Sequence, residues 1–283
     1  MKIEKVLVVG AGAMGAGIAQ VFAQNNFDVI LVDTSDEFVR RALGGIEKNL
    51  SRAVEKGKIE AARKDEIMKR IRGETDLGTA RDADFVVEAV FENLGLKKEI
   101  FARLDRECAP EVILTTNTSS QPVTPIAAVT RRPQKVIGMH FFNPAQVMKL
   151  VEIIRGLTTD DETFQVVWDL AKRLGKEPVA VNDSPGFVSS RVLMVMINEA
   201  VFTLWEGVGD AKGIDDVMKL GMNHPMGPLE LADLIGLDIC LNVMNVLYEG
   251  FQDPKYRPCV LLKKMVAAGH LGRKTGIGFY EYK

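Results

Sequence analysis

The stretch HFFNPAQVMKLVE, His140 to Glu152, sets a single histidine and a single acid in a largely apolar segment. After the turn at Asn143-Pro144, the run Met148 to Ile154 reads as a strand. A period of two puts Glu152 on the same apolar face as Met148, Leu150 and Ile154. An ionised carboxylate there is costly to desolvate unless a partner holds it, and the histidine that ends the preceding strand, Lys135 to Met139, is the nearest candidate. Such a pair either satisfies the core or holds a neutral imidazole ready to exchange a proton near physiological pH. Spacing alone leaves both readings open.

A second chemical signal lies near the start. VLVVGAGAMGAGIA places Gly10, Gly12 and Gly15 in a GxGxxG that follows a strand and opens a helix, the context this motif needs. Gly10 allows a tight turn, Gly12 lets the backbone approach a pyrophosphate, and Gly15 lets the helix pack on the strand. The loop through Ala13 and Met14 then turns a helix N-terminus towards the phosphates. The second strand ends in VILVDTSDE, and Asp33 stands roughly 20 residues past the glycines, where a carboxylate accepts from the adenosine ribose hydroxyls. That favours NAD over NADP.

Both signals require a sheet edge to gather them. Short β-branched runs at residues 3–9, 29–32, 85–89, 112–115, 136–139, 150–154 and 179–181 alternate with helical patterns. That pattern predicts a mostly parallel sheet covered on both faces. Between Ser35 and Gly73 no strand pattern is visible; two charged helical segments, breaking near Lys56-Gly57-Lys58, predict a helical hairpin inserted between the second and third strands. Composition changes at Asp183-Ser184-Pro185-Gly186, beyond which helical patterns such as 188–207 and 228–250 dominate until the last few residues. The expected fold is a Rossmann-type, doubly wound α/β domain over residues 1–184, followed by an all-helical domain over 185–283.

Composition narrows the function classes. With 36 basic and 38 acidic residues the net charge is −2, so no global field recruits nucleic acid or an anionic membrane, and an anionic ligand must be held locally. Cys108, Cys240 and Cys259 are far apart and in no CxxC spacing, which points to free thiols in a reducing compartment, the cytoplasm, and away from a metal site. Glycines interrupt the apolar start of the chain, against a signal peptide. No apolar run is long enough to span a bilayer.

Five separated motifs, VIGMHFFNPAQVMKLVEII, TTNTSS, DSPGFV, GMNHPMGPLELADLIGLD and GRKTGIGFYEY, resemble those of the L-3-hydroxyacyl-CoA dehydrogenases, in order and over essentially the whole chain. Within that family the sequence is most similar to short bacterial members acting on 3-hydroxybutyryl-CoA. The resemblance implies a Rossmann-type domain carrying a helical hairpin, and a helical domain that makes much of a homodimer interface. It also implies a catalytic His–Glu dyad at His140 and Glu152, with Ser119 and Asn143 around substrate and nicotinamide. Glu92, Lys97 and Lys274 match further cofactor contacts, and Lys56 matches a coenzyme A contact. The family asparagine three residues after PGF is replaced by Ser190, on the substrate side.

The implied activity is NAD-dependent interconversion of a short-chain (S)-3-hydroxyacyl-CoA and its 3-oxo form. A related reading keeps fold and dyad but uses a free hydroxy or sugar acid, as in gulonate dehydrogenase and lambda-crystallin relatives; another is a weakly active NAD-binding structural protein. Taken alone, Ser119 reads as a cap or turn residue, and Lys56, with Lys58, Arg63 and Lys64, as a solvated helix face. His224 reads as a turn or capping residue, His270 as exposed, and Met194, Met196, Met218, Met222, Met226 and Met244 as core and interface filler.

Overall fold

The chain, described over residues 2–282 in a computed structural model, divides into two units, Met1–Asp183 and Ser184–Lys283. The first holds strands β1 (Lys5–Val9), β2 (Asp28–Val32), β3 (Ile71–Glu74), β4 (Phe85–Glu88), β5 (Ile113–Thr116), β6 (Val136–Phe141), β7 (Leu150–Arg155) and β8 (Glu177–Asn182). They form one sheet in the order β3-β2-β1-β4-β5-β6-β7-β8. Every neighbouring pair is parallel except β6 with β7. The central strands read as continuous apolar runs because helices cover both faces; Val6, Leu7 and Val8 are 0% exposed. Strand order reverses between β1 and β4, and the crevice beyond their C-terminal ends is where open α/β sheets bind ligands.

Helices α1 (Ala13–Gln24), α2 (Asp36–Glu55), α3 (Ala61–Lys69), α4 (Leu94–Glu107), α5 (Val123–Ala127) and α6 (Asp161–Arg173) complete this unit. α2 buries one stripe, Val39, Ala42, Ile46 and Leu50, and starts at Ser35, whose hydroxyl accepts from the Phe38 N–H while Asp36 and Glu37 complement the helix dipole. α2 and α3 are the expected hairpin. They are followed by β3, a strand that the sequence pattern missed: its IRGE lies at the sheet edge, where one residue is buried and three are wholly or partly open. A Cβ on Gly73 would come within 2.3 Å of Val39 on α2, so this edge strand carries glycine where the helix packs.

The second unit contains α7 (Ser189–Trp205), α8 (Ala211–Gly221), α9 (Pro228–Ile235), α10 (Leu237–Phe251) and α11 (Val260–Ala267) around a core that includes Met194, Val201, Leu229, Leu237, Val243 and Leu247. The 228–250 pattern is not one helix. Gly236, at φ +106°, breaks it into α9 and α10, bent by 98°. Asp215 accepts from the Leu229 and Glu230 N–H groups and the Tyr280 hydroxyl, and Asp233 from the Phe279 and Tyr280 N–H groups and the Tyr282 hydroxyl. Two buried carboxylates thus fix the GFYEY ending. Among the described residues no single helix is long and apolar enough to cross a membrane. His224 lies in the loop between α8 and α9, its N–H on the Met218 carbonyl, while His270 is half-buried rather than exposed. Met194 and Met244 are core, as expected, but Met222 is 63% exposed.

Candidate active site

The β6–β7 pairing puts His140 directly opposite Glu152. Imidazole Nδ1 lies 2.8 Å from Glu152 Oε2, and the two residues are 6% and 2% exposed. A carboxylate accepts only, so this contact assigns the proton to Nδ1 and leaves the lone pair on Nε2. Phe142 packs on the ring at 4.6 Å between centroids. Met148 lies outside β7 and is 41% exposed, so the apolar face expected around Glu152 begins only at Leu150.

Asn117 ties this edge to the next: its side-chain oxygen accepts from the Phe141 N–H at 2.8 Å, and its own N–H donates to the Glu88 carbonyl. Sequence reasoning passed over Asn117, which sits inside TTNTSS beside the residue it singled out. Ser119 follows in a loop gathered on Glu92. Glu92 Oε1 accepts from Thr118 Oγ1 at 2.5 Å and from the Ser119 and Ser120 N–H groups at 3.0 Å each. Its Oε2 lies 3.3 Å from Lys97 Nζ. Burial opposes its charge, but Lys97 and the loop donors outweigh burial and hold the carboxyl below its usual range.

The glycine loop has the shape a dinucleotide needs. Gly10 has φ +104°, and a Cβ on Gly15 would meet the Gly10 carbonyl oxygen at 1.7 Å, so neither tolerates a side chain. A Cβ on Gly12 would have nothing within 4 Å, which leaves its backbone open to a phosphate, and α1 begins there without a side-chain cap. Clefts flank the loop on two sides. One, about 290 Å³, is lined by Gly10, Asp33, Thr34, Val90 and Arg103; the other, about 490 Å³, by Gly12, Ala13, Arg41, Asn49, Asn143 and Gln146. Asp33 ends β2 with one oxygen on the Ala11 N–H and the other on the Thr34 N–H, each at 2.6 Å. Lys176, 8% exposed, donates to the Ala145 and Met148 carbonyls and so pins the loop carrying Asn143; burial pushes its pKa down.

The first unit thus brings together His140, Glu152, Ser119, Glu92, Asn143 and the glycine loop at the C-terminal side of one sheet. Met14 is half-buried in the first turn of α1. Lys97 is 1% exposed, its ammonium enclosed rather than lining a cleft. Lys56 is exposed at the end of α2; Lys64 pairs with Glu47, and Arg63 is held by Glu66 and the Gln24 carbonyl, so these two of the four cations serve the fold. In the second unit, Ser190 is buried at 9% exposure on α7, and Lys274 pairs with Asp238 at 2.5 Å.

Comparison with known proteins agrees with this geometry. The family model for the 3-hydroxyacyl-CoA dehydrogenase NAD binding domain matches residues 5–184, and that for the C-terminal domain matches residues 186–282. A probable 3-hydroxybutyryl-CoA dehydrogenase of Bacillus subtilis is 54% identical over 100% of this chain and 99% of its own. A 3-hydroxybutyryl-CoA dehydrogenase of Clostridioides difficile is 50% identical over 98% of this chain and 99% of its own. The crystal structure of (S)-3-hydroxybutyryl-CoA dehydrogenase from Ralstonia eutropha superposes with a TM-score of 0.96 at 50% identity, covering 100% of both chains. With its glycine loop shaped for NAD and both family domains matched, the chain belongs to the 3-hydroxyacyl-CoA dehydrogenase family.

Proposed function

We propose that this enzyme interconverts (S)-3-hydroxybutyryl-CoA and acetoacetyl-CoA with His140 as its base. The observation that carries the proposal is the buried 2.8 Å contact between His140 Nδ1 and Glu152, in the sheet whose first strand leads into the glycine loop. Bound NAD supplies the hydride acceptor. His140 Nε2 takes the hydroxyl proton as the alcohol is oxidised, and returns it to the carbonyl oxygen in the reverse direction. Glu152 keeps the imidazole in the tautomer that leaves Nε2 basic and offsets the imidazolium charge that develops. Ser119 and Asn143 hold the substrate carbonyl and the nicotinamide, and Glu92 sets the Ser119 loop. Acetoacetyl-CoA with NADH, followed at the nicotinamide absorbance band, tests this reading; no turnover overturns it.

Lys56 separates an acyl-CoA substrate from a free hydroxy acid. Its exposed ammonium at the end of α2 suits a coenzyme A phosphate. Lys56→Ala is expected to raise KM for acetoacetyl-CoA by about threefold or more, the scale of one exposed charge pair, with kcat little changed. Steady-state kinetics check it, and an unchanged KM sinks the coenzyme A role.

The chain works as a homodimer joined through the second unit. The support is an apolar groove of about 670 Å³ lined by Val192, Met196, Val208, Val217 and Met218, in which Val192, Val208 and Val217 are each more than 60% exposed. Sedimentation at micromolar concentration is expected to show a dimer that Val217→Glu converts to monomer; a monomeric parent refutes it. The three buried, unpaired cysteines favour a cytoplasmic location, which cell fractionation checks.

A further inference from the structure

Glu88 carries no sequence signal of its own, yet its side chain is 0% exposed at the end of β4. Burying a carboxylate is costly unless donors and a counter-charge hold it, and this one has three donors, one of them a cation. Oε1 accepts from the Val90 N–H and from Lys97 Nζ, each at 2.7 Å, and Oε2 from Thr116 Oγ1 at 2.7 Å. The three donors belong to the exit of β4, to α4 and to β5. Lys97, itself 1% exposed, spans two carboxylates, 2.7 Å from Glu88 and 3.3 Å from Glu92. Beyond Glu92 come the Ser119 and Ser120 N–H groups.

We propose that Glu88 and Lys97 are positioning residues, a buried ionic relay that fixes the Glu92 carboxylate and through it the Ser119 loop. Neither group needs to touch a ligand to do so. An enclosed ion pair adds little net stability over apolar packing, but its paired donors and acceptors permit one arrangement, which sets a direction for the groups it contacts. The relay reaches the cofactor side as well. Val90, bonded to Glu88, lines the Asp33 cleft, and the Ala89 carbonyl beside it is what a Cβ on Gly10 would strike at 2.6 Å. The inference rests on the proposed function only for the role of Ser119.

The charges around Glu92 give the test. Lys97 on α4 faces it, with Glu88 on β4 behind, while residues 118–121 contribute only neutral hydroxyl and amide donors. With Lys97→Met, two carboxylates share one enclosed site with no cation between them, so the Glu92 pKa rises and its carboxylate is protonated more readily than in the parent. Acetoacetyl-CoA reduction is then expected to lose about tenfold or more in kcat, the scale of one lost hydrogen bond to a charged group. The rate should then recover with rising pH as Glu92 ionises, an added acid limb that the parent lacks. Adding Glu88→Gln removes one of the two carboxylates and should restore the parent profile.

Parent kinetics and pH profile in Lys97→Met, with only a lowered Tm, would mean that the relay is structural alone and overturn the proposal. If Lys97→Met does not fold, Glu88→Gln alone decides: a kcat reduced about threefold or more supports the relay, and one within twofold of the parent overturns it. NADH binding by fluorescence is measured on every variant. A Kd weakened in Glu88→Gln with a parent that does not turn over acetoacetyl-CoA supports the relay and refutes the substrate; an unchanged Kd in Glu88→Gln with that inactive parent overturns both.

Discussion

Glu152→Gln is expected to keep the fold and NADH binding while kcat falls by about 10²- to 10⁴-fold. Glutamine is nearly isosteric, so the 2% exposed site on β7 stays filled and the pairing with β6 persists. What changes is the proton. The carboxylate can only accept, and at 2.8 Å it holds hydrogen on His140 Nδ1. An amide can donate through its nitrogen, which favours the tautomer with hydrogen on Nε2, the atom that has to be the base. The amide also brings no charge to offset the imidazolium as it forms. Single-turnover and steady-state kinetics with acetoacetyl-CoA, beside a thermal melt, check the result. A variant within about threefold of the parent removes the dyad from the mechanism.

Why that pair is legible in sequence, and Glu88 is not, follows from how each is built. His140 and Glu152 stand out because a polar residue on an apolar strand face demands a partner, and an antiparallel neighbour reached by one short loop can supply it. The GxGxxG is legible because the backbone allows only glycine at φ +104° or 1.7 Å from a carbonyl oxygen. Glu88, by contrast, looks like an ordinary strand end. Its partner Lys97 reads as one more charged residue at the start of a helix, and only the parallel pairing of β4 with β5 brings Thr116 to its other side. β3 escapes for a related reason. An edge strand with one buried side chain has no apolar period to detect, and its place is set by β2 and by α2 packing over Gly73. Gly236 is visible but ambiguous, since a glycine within a helical pattern is tolerated as often as it breaks one; here its φ of +106° decides. The basic hairpin is ambiguous in sequence, because charge alone does not say whether a cation waits for a ligand or, like Lys64 with Glu47, for a neighbour on its own hairpin.

The enzyme is expected to prefer NADH to NADPH by at least about 100-fold in kcat/KM, or roughly 2.7 kcal/mol. The discrimination comes from Asp33. Its carboxylate is held at the end of β2 by the Ala11 and Thr34 N–H groups, both at 2.6 Å, and lines the smaller cleft beside the glycine loop, where the adenosine ribose would lie. A ribose 2′-hydroxyl can donate to it; a 2′-phosphate brings up to two negative charges against it. Among the described residues, the one cation that lines this cleft is already engaged. Arg103 lines the same cleft but pairs with Asp76 at 3.1 Å, while Arg41 packs over the Phe38 ring and lines the opposite cleft. Initial rates with acetoacetyl-CoA and each reduced cofactor give the ratio directly, and equal turnover refutes the assignment. Asp33→Ser locates its source. That change also loosens the Ala11 contact and so slows NADH turnover, but only a carboxylate that repels the 2′-phosphate makes the ratio itself collapse towards unity.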